Sequence, residues 1–389
     1  METALAPQPR SAVPDYWNLV PRYSRWSEDQ KIPIYKTYYV EDLRTLELGP
    51  WEDRECNAAF VVLTGQEGVT ESLVTEIPPG ATLPPFKFGI DDLVYVLDGR
   101  GITTIWAEGQ EKKSFEWTAR SMFMLPRNYT VQISNTQGSR PARLLHYNYL
   151  PTAMSIFPDP MYFFNNKSTQ PDMSLLYGQE SEFYSTAKFA QHEERWASFW
   201  LGNFFPDMMA WDKFRPMEGR GVGASSVSML FPSCSIRAGL PTMAVGTYKK
   251  GHQHGPGVVV VIPGGDGFSV MWRPDPGGEK EKIYIPWHEG SIFVPPNMWW
   301  HQHFNVGATP ARYLTLHPAR NISWFEGRGE ERNTDSQIEY VDEDPWIRQK
   351  FEEELTKRGV KSLMPEEAYT NRAYEWSKVA PVGDIEHVK

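Results

Sequence analysis

The chain has 389 residues, of which 40% are hydrophobic and 23% charged, and its formal net charge is −10. That length suffices for two domains, and the acidic balance argues against nucleic acid or an anionic membrane surface as partner. No apolar run approaches the ~20 residues of a membrane span, Met1 to Pro7 has no basic stretch or long apolar core, and two cysteines, Cys56 and Cys234, make no disulfide framework, so a cytoplasmic, reducing location is expected.

Residues 1–30 are rich in Pro, Ser and Arg and show no period, which reads as an arm that orders only against another surface. From Ala58 the signals are β. The predicted strands are Phe60 to Leu63, Thr70 to Ile77, Leu93 to Leu97, Ile102 to Trp106, Ser121 to Pro126, Val131 to Ile133 and Ala142 to Tyr149. Short strands punctuated by Gly and Pro predict a sandwich or barrel over residues 31–150. Residues 151–195 are too aromatic for a flexible linker. They read as a crossover segment docking on one barrel, with a short helix around Tyr184 to Phe199.

The same order of signals returns 166–170 residues later. Asp98 to Gly101 lies over Gly264 to Gly267, Ile102 to Trp106 over Phe268 to Trp272, Phe123 to Pro126 over Phe293 to Pro296, and Asn135 over Asn305. The chain therefore reads as a duplicated β-barrel, with the second copy at 196–320. In the tail, 321–389, one helix is expected over 345–358. Asp344 caps it, Pro345 suits its first position, Ile347, Phe351 and Leu355 form its apolar face, and Gly359 stops it. A surface or dimer-interface role suits that helix.

Four of the nine histidines lie in two short pieces, His252-Gln253-His254 and His301-Gln302-His303. Residues two apart on a strand face the same side, so two strands can each present a pair of imidazoles to one interior, a plausible metal site. The two pieces resemble the paired motifs of the cupin superfamily. Gly290, Pro296, His301 and Asn305 fall in the register of the second motif, with Met298 where the family often has Gly. The Glu ligand of the first motif is missing, and Val258 to Val261 occupies its place. The resemblance implies an all-β fold of two cupin double-stranded β-helix barrels, a bicupin, with a C-terminal helix and extended terminal arms. It also implies a three-histidine metal site of His252, His254 and His301. In the first copy Phe86, Phe88 and Val131 stand at those positions, so one barrel is expected to bind metal and the other to be packed with side chains.

His303 also faces inward by alternation, as a fourth ligand, a group behind the ligands, or the substrate acid–base. The string Trp300 to Asn305 is similar to one in gentisate- and salicylate-type ring-cleaving dioxygenases, which are bicupins with three-histidine Fe(II) sites; Gln302 replaces their Asp. Three neutral ligands leave the metal its positive charge, which attracts an anionic bidentate substrate. Fe(II) is the leading cofactor, and Mn, Ni, Cu and Zn suit the same donors. Trp272, Trp287, Met298 and Trp299 cluster near the ligands and read either as an apolar substrate pocket or as barrel core. His288 and His317 read as structural or solvent-facing, and Arg312, matched by Arg143, as structural.

The expected function is a non-haem Fe(II) dioxygenase cleaving a ring or C–C bond of an aromatic or dicarbonyl-like substrate, with His303 catalytic and O2 as co-substrate. The rivals are an O2-independent lyase, isomerase or hydrolase on the same site, and a non-enzymatic bicupin with a structural metal. A homo-oligomer, dimer or tetramer, is expected.

Overall fold

Strands whose residues are apolar on both faces need cover on both faces, and this requirement shapes the molecule. The computed structural model describes residues 20–66, 68–192, 197–232, 234–278, 281–318 and 336–374. Its strands form two barrels, each made of a large and a small sheet. In the first barrel, Cys56–Leu63, Glu71–Ile77, Ala142–Asn148, Asp92–Asp98 and Met122–Leu125 lie side by side in an 8-stranded sheet. Phe86–Lys87, Thr130–Asn135, Arg100–Trp106 and Lys113–Thr118 form a 4-stranded sheet. The second barrel repeats the plan with a 9-stranded sheet around Ala224–Leu230, Arg237–Met243, Ala311–His317, Val259–Gly264 and Ile292–Phe293. Its 6-stranded sheet is built around Ile283–Trp287, Gly267–Trp272, Trp300–Asn305 and Gly251–His252.

The two large sheets pack against each other. Val61, Tyr95, Met122 and Leu145 of the first barrel share one core with Val227, Leu240, Val259 and Leu316 of the second. Each central strand of these sheets is buried on the barrel side and on the interface side, which is why Val258 to Ile262 is continuously apolar rather than alternating. The small sheet of the first barrel has an outer face in water, and its strand Arg100–Trp106 alternates accordingly.

Cross-strand registers establish the duplication position by position. Gly101 pairs with Asn135, Thr103 with Ile133 and Ile105 with Val131; Gly267 pairs with Asn305, Ser269 with His303 and Met271 with His301. Trp117 donates to Thr103 Oγ1 at 3.0 Å, and Trp287 donates to Ser269 Oγ at 3.0 Å. A Cβ on Gly101 or Gly267 would lie 2.3 Å from the Cζ2 of Trp117 or Trp287, so the tryptophan demands glycine in both copies. Asn135 and Asn305 each tie three backbone carbonyls across the barrel end.

The fold is thus all-β with duplicated barrels and a C-terminal helix, as the sequence indicates. The helix Pro345–Arg358 has the expected bounds, with Asp344 accepting from Trp346 N at 2.9 Å and Gly359 at φ 66°. It buries Ile347, Phe351 and Leu355 against Tyr248, Phe268 and Phe304 on the outer face of the 6-stranded sheet. Several expectations are corrected. The described residues of 184–199 form no helix: beyond a short turn at Ser181–Tyr184, Lys188–His192 and Ala197–Leu201 pair antiparallel, and Phe189 packs on Trp200. The aromatic spacing there serves a ribbon extending the 9-stranded sheet. The Gly-rich turns at Gly99 and Gly265 are corners that carry the chain from one sheet to the other.

Within the N-terminal arm, residues 1–19 lie outside the described residues. Arg22–Asp29 is a helix, docked through Trp26 on Phe60 and Phe164. The crossover segment supplies Phe164, which stacks on Phe88, so it covers the first barrel. Two short strands cross between barrels. Tyr39–Val40 pairs with Ile292–Phe293 of the second barrel, and Phe204–Phe205 pairs with Met122–Phe123 of the first. The expected helix-bearing tail begins beyond residue 335 for description, and residues 375–389 lie outside it.

Candidate metal centre

Gly251–His252 and Trp300–Asn305 are neighbours in the 6-stranded sheet, with His252 directly opposite His301. Alternation along Trp300–Asn305 turns His301, His303 and Asn305 to the barrel interior and Trp300, Gln302 and Phe304 away from it. Four imidazoles meet there. Ring centroids are 4.2 Å apart for His252 and His301, 4.6 Å for His254 and His301, 5.4 Å for His301 and His303, and 5.8 Å for His252 and His303. The candidate donor nitrogens of His252, His301 and His303 lie within 4.8 Å of one another.

The ring hydrogen bonds sort the four. The Nδ1 atoms of His252, His254 and His301 meet the carbonyl oxygens of Lys250, Gly255 and Trp299 at 2.9, 2.8 and 3.0 Å. A carbonyl only accepts, so each Nδ1 carries the proton and each Nε2 keeps a lone pair. His301 Nε2 is buried with no hydrogen-bond partner, an arrangement that costs about 1–3 kcal/mol unless something fills the gap. His303 differs. Its Nδ1 lies 2.8 Å from Ser269 Oγ, which already accepts from Trp287. A hydroxyl can donate as well as accept, so His303 can hold its proton on either nitrogen.

Burial pushes His252, His301 and His303 well below the ordinary histidine range and His254 to about 4, and nearby cationic and imidazole groups add to the fall for His252, His301 and His303. Neutral imidazoles are the form that binds a divalent transition metal. The unpartnered His301 Nε2, the carbonyl-fixed tautomers and the neutral charge state together fit such an ion.

Proximity and tautomer select different trios. Proximity gives His252, His301 and His303, because the strand ends at His252 and His254 lies beyond it, half-buried, with its carbonyl receiving Met298 N at 2.9 Å. The carbonyls fix an Nε2 lone pair on His252, His254 and His301, the trio implied by the resemblance, while His303 can offer one as well.

Beside the imidazoles lies a cavity of about 300 Å³. His252, His254 and His303 line it together with Arg220, Arg237, Lys249, Tyr313 and His317. Among the described residues that line it there is no carboxylate. Arg237 Nη2 lies 3.5 Å from His317 Nδ1, and the Lys249 ammonium is 4.9 Å from the Tyr313 ring. Trp272, Trp287, Met298 and Trp299, expected at the substrate, are not part of this wall. Trp272 stands opposite Trp300 on the outer face, in the core beneath the C-terminal helix. Trp287 fills the barrel interior behind His303, Met298 sits in a tight turn at φ 57°, and Trp299 packs toward Tyr38. Alternation puts Trp272 out of reach, because its neighbour Met271 is the residue facing His301.

The cationic wall was not read from the sequence. Arg220 and Arg237 come from strands and turns far from the histidine motifs, and nothing in their local pattern marks them. Lys249 lies three residues before His252, and His317 ends the last strand; both were legible in position but not in role. Arg312 and Arg143 are structural, as expected: Arg312 donates to Trp211 O at 2.7 Å and Arg143 pairs with Glu76 at 2.6 Å. Gln302 turns away from the cavity and donates to Lys249 O and to Glu343 at 3.1 and 3.2 Å.

No family model and no curated protein sequence matches the chain. Among solved structures, the oxalate decarboxylase of Lactobacillus farciminis, in a formate complex, is similar with a TM-score of 0.45 and 12% identity, covering 74% of this chain and 87% of that one. A deletion mutant of Bacillus subtilis oxalate decarboxylase has a TM-score of 0.42 and 13% identity, covering 72% and 77%. No helix among the described residues is long and apolar enough to cross a membrane.

Proposed function

We propose that the chain is a metal-dependent enzyme that binds a small organic anion in its second barrel and cleaves one of its C–C bonds with O2. One observation supports this above the rest: metal-competent imidazoles open onto a cavity lined by Arg220, Arg237 and Lys249. His252, His254 and His301 would hold the ion, with Fe(II) the leading candidate. When bound, Fe(II) supplies Lewis acidity and one-electron chemistry toward O2. The cavity suits a carboxylate- or enolate-bearing molecule better than the extended apolar ring expected from the tryptophans. Arg237 and Lys249 bind and orient its charge, where a wall of low dielectric strengthens each contact. His303 takes or returns the substrate proton directly, with the hydroxyl of Ser269 able to support either tautomer.

A redox-neutral cleavage is the second reading, and the same cationic wall favours it. Fixed positive charge stabilises a carbanion or enolate as it develops, whether or not O2 takes part. The test is O2 uptake by protein purified anaerobically and loaded in turn with Fe(II), Mn(II) and Zn(II), against oxo-acids, dicarboxylates and hydroxy-aromatic acids. Uptake with Fe(II), matched to substrate loss, supports the oxygenase. Substrate loss without uptake selects the redox-neutral enzyme, and no loss with any anion overturns both.

A further inference from the structure

The first barrel, expected to be packed solid, encloses a cavity of about 60 Å³. Its wall uses the same places as the wall of the second-barrel cavity. Glu71 pairs across the sheet with Asn148, and Arg237 pairs with His317. Leu93 pairs with Tyr147 and Val259 with Leu316, so Asp92 corresponds to Val258. The duplication therefore sets two carboxylates where the second barrel has a guanidinium and a valine. Phe86 and Phe88, at the positions of His252 and His254, do not fill the space; they line it.

The polar part of the wall is divided. All four carboxylate oxygens at the base are already satisfied. Glu71 accepts from Asn148 and Tyr23 at 3.0 and 2.8 Å, and Asp92 meets Asn148 and His146 at 3.0 and 2.7 Å. Arg54 is the reverse. Its guanidinium lies over the Phe86 ring, 3.5 Å from the centroid, in the cavity wall. Among the described residues no hydrogen bond or ion pair engages it. Burial draws it down to about 10, and Asp92 partly offsets that. Apart from Thr75, whose hydroxyl meets His146 at 3.0 Å, the remainder of the wall is apolar and aromatic, closed by Trp26 of the N-terminal helix and Phe164 of the crossover segment. A mostly apolar cavity with one open polar anchor has the make-up of a small-molecule site.

Charge decides the ligand class. An anion would sit against Glu71 and Asp92, and a cation against Arg54, while the carboxylates have no unmet need for one. We infer that the first barrel binds a small uncharged molecule, on the order of four or five heavy atoms, whose carbonyl or hydroxyl oxygen accepts from Arg54 and whose apolar part lies against Phe86 and Phe88. This site is separate from the imidazole centre, and the inference stands whichever reaction the second barrel performs.

The test is methyl-detected NMR of the full chain titrated with acetamide, acetone and 2-propanol, with acetate and methylammonium as charged controls. Saturable shifts are expected at Leu73, Leu83, Ile133 and Leu150, which line this cavity, and not at Val258 or Val260 of the other. Arg54→Met should weaken binding about tenfold by removing the donors. Arg54→Lys, which keeps the charge without the fork, should weaken it less and checks that the fold survives. The inference is overturned if none of the neutral probes saturates, which would leave the cavity to water. It is equally overturned if acetate or methylammonium binds these methyls as well as the neutral probes do, or if Arg54→Met binds unchanged.

Discussion

At the scale of single residues, the proposed division between ligands and acid–base group rests on the partner of each imidazole Nδ1. His252, His254 and His301 face carbonyls, and His303 faces a hydroxyl. His301→Ala and His254→Ala should therefore purify with little metal, whereas His303→Ala should retain most of the metal and lose turnover. Metal content by elemental analysis of each variant reads this directly; full metal in His254→Ala with none in His303→Ala would select the trio defined by proximity instead. Arg237→Gln should raise KM for an anionic substrate by about tenfold with a smaller change in kcat, the pattern of lost ground-state binding. A change confined to kcat would contradict that role. The imidazoles were legible because a two-residue spacing on a strand needs no tertiary knowledge. Arg237 was not: it becomes an anion-binding candidate only once the barrel closes and brings it beside His317 and the imidazoles.

At the scale of elements, the C-terminal helix does more than decorate the surface. Glu343, just before its cap, accepts from Tyr248 and Gln302, and Gln302 is the residue between His301 and His303. The helix thus reaches the back of the histidine strand through one carboxylate. Phe351→Ala should lower stability by about 3–5 kcal/mol, since Phe351 is fully buried against Tyr248 and Phe304. Asp344→Ala, which removes the cap, should cost only about 1 kcal/mol. Denaturant titration of the two variants checks the order; equal losses would mean that the helix is held by its end rather than by its apolar face. This helix was legible in full, because cap, first-turn proline, four-residue period and terminal glycine all agree. The stretch from Tyr184 to Phe199 was not. Its aromatic residues suit either period, and only pairing with Ala224–Leu230 through Ala197–Leu201 decides for a strand.

At the scale of the whole molecule, the buried Glu71 makes stability depend on pH. Burial raises it from the usual carboxylate range to about 7, with the Asn148 and Tyr23 hydrogen bonds offsetting part of the rise. A carboxyl raised on folding favours the folded state most below its unfolded value, near 4.5, and that contribution is lost as pH climbs through about 7. Its span is on the order of 3 kcal/mol at most. Melting temperature should therefore fall between pH 5 and 8, and Glu71→Gln should flatten part of that fall; an unchanged slope would contradict the linkage. The duplication was legible from recurring turns and apolar runs, and registers such as Ile105 with Val131 and Met271 with His301 match it. The two strands that cross between barrels left no trace in the sequence, because Tyr39–Val40 and Phe204–Phe205 are too short to mark which sheet they join.

Those crossings bear on how the chain is made. Tyr39–Val40 emerges from the ribosome early, yet its partner Ile292–Phe293 follows roughly 250 residues later, a wait on the order of 10–50 s at ordinary synthesis rates. Phe204–Phe205 closes the first barrel's sheet only after the crossover segment has been made. Neither half can finish before the other has begun. A chain cut between the barrels would leave two fragments, each lacking an edge that only its sister supplies, and their natural course on mixing is to find each other.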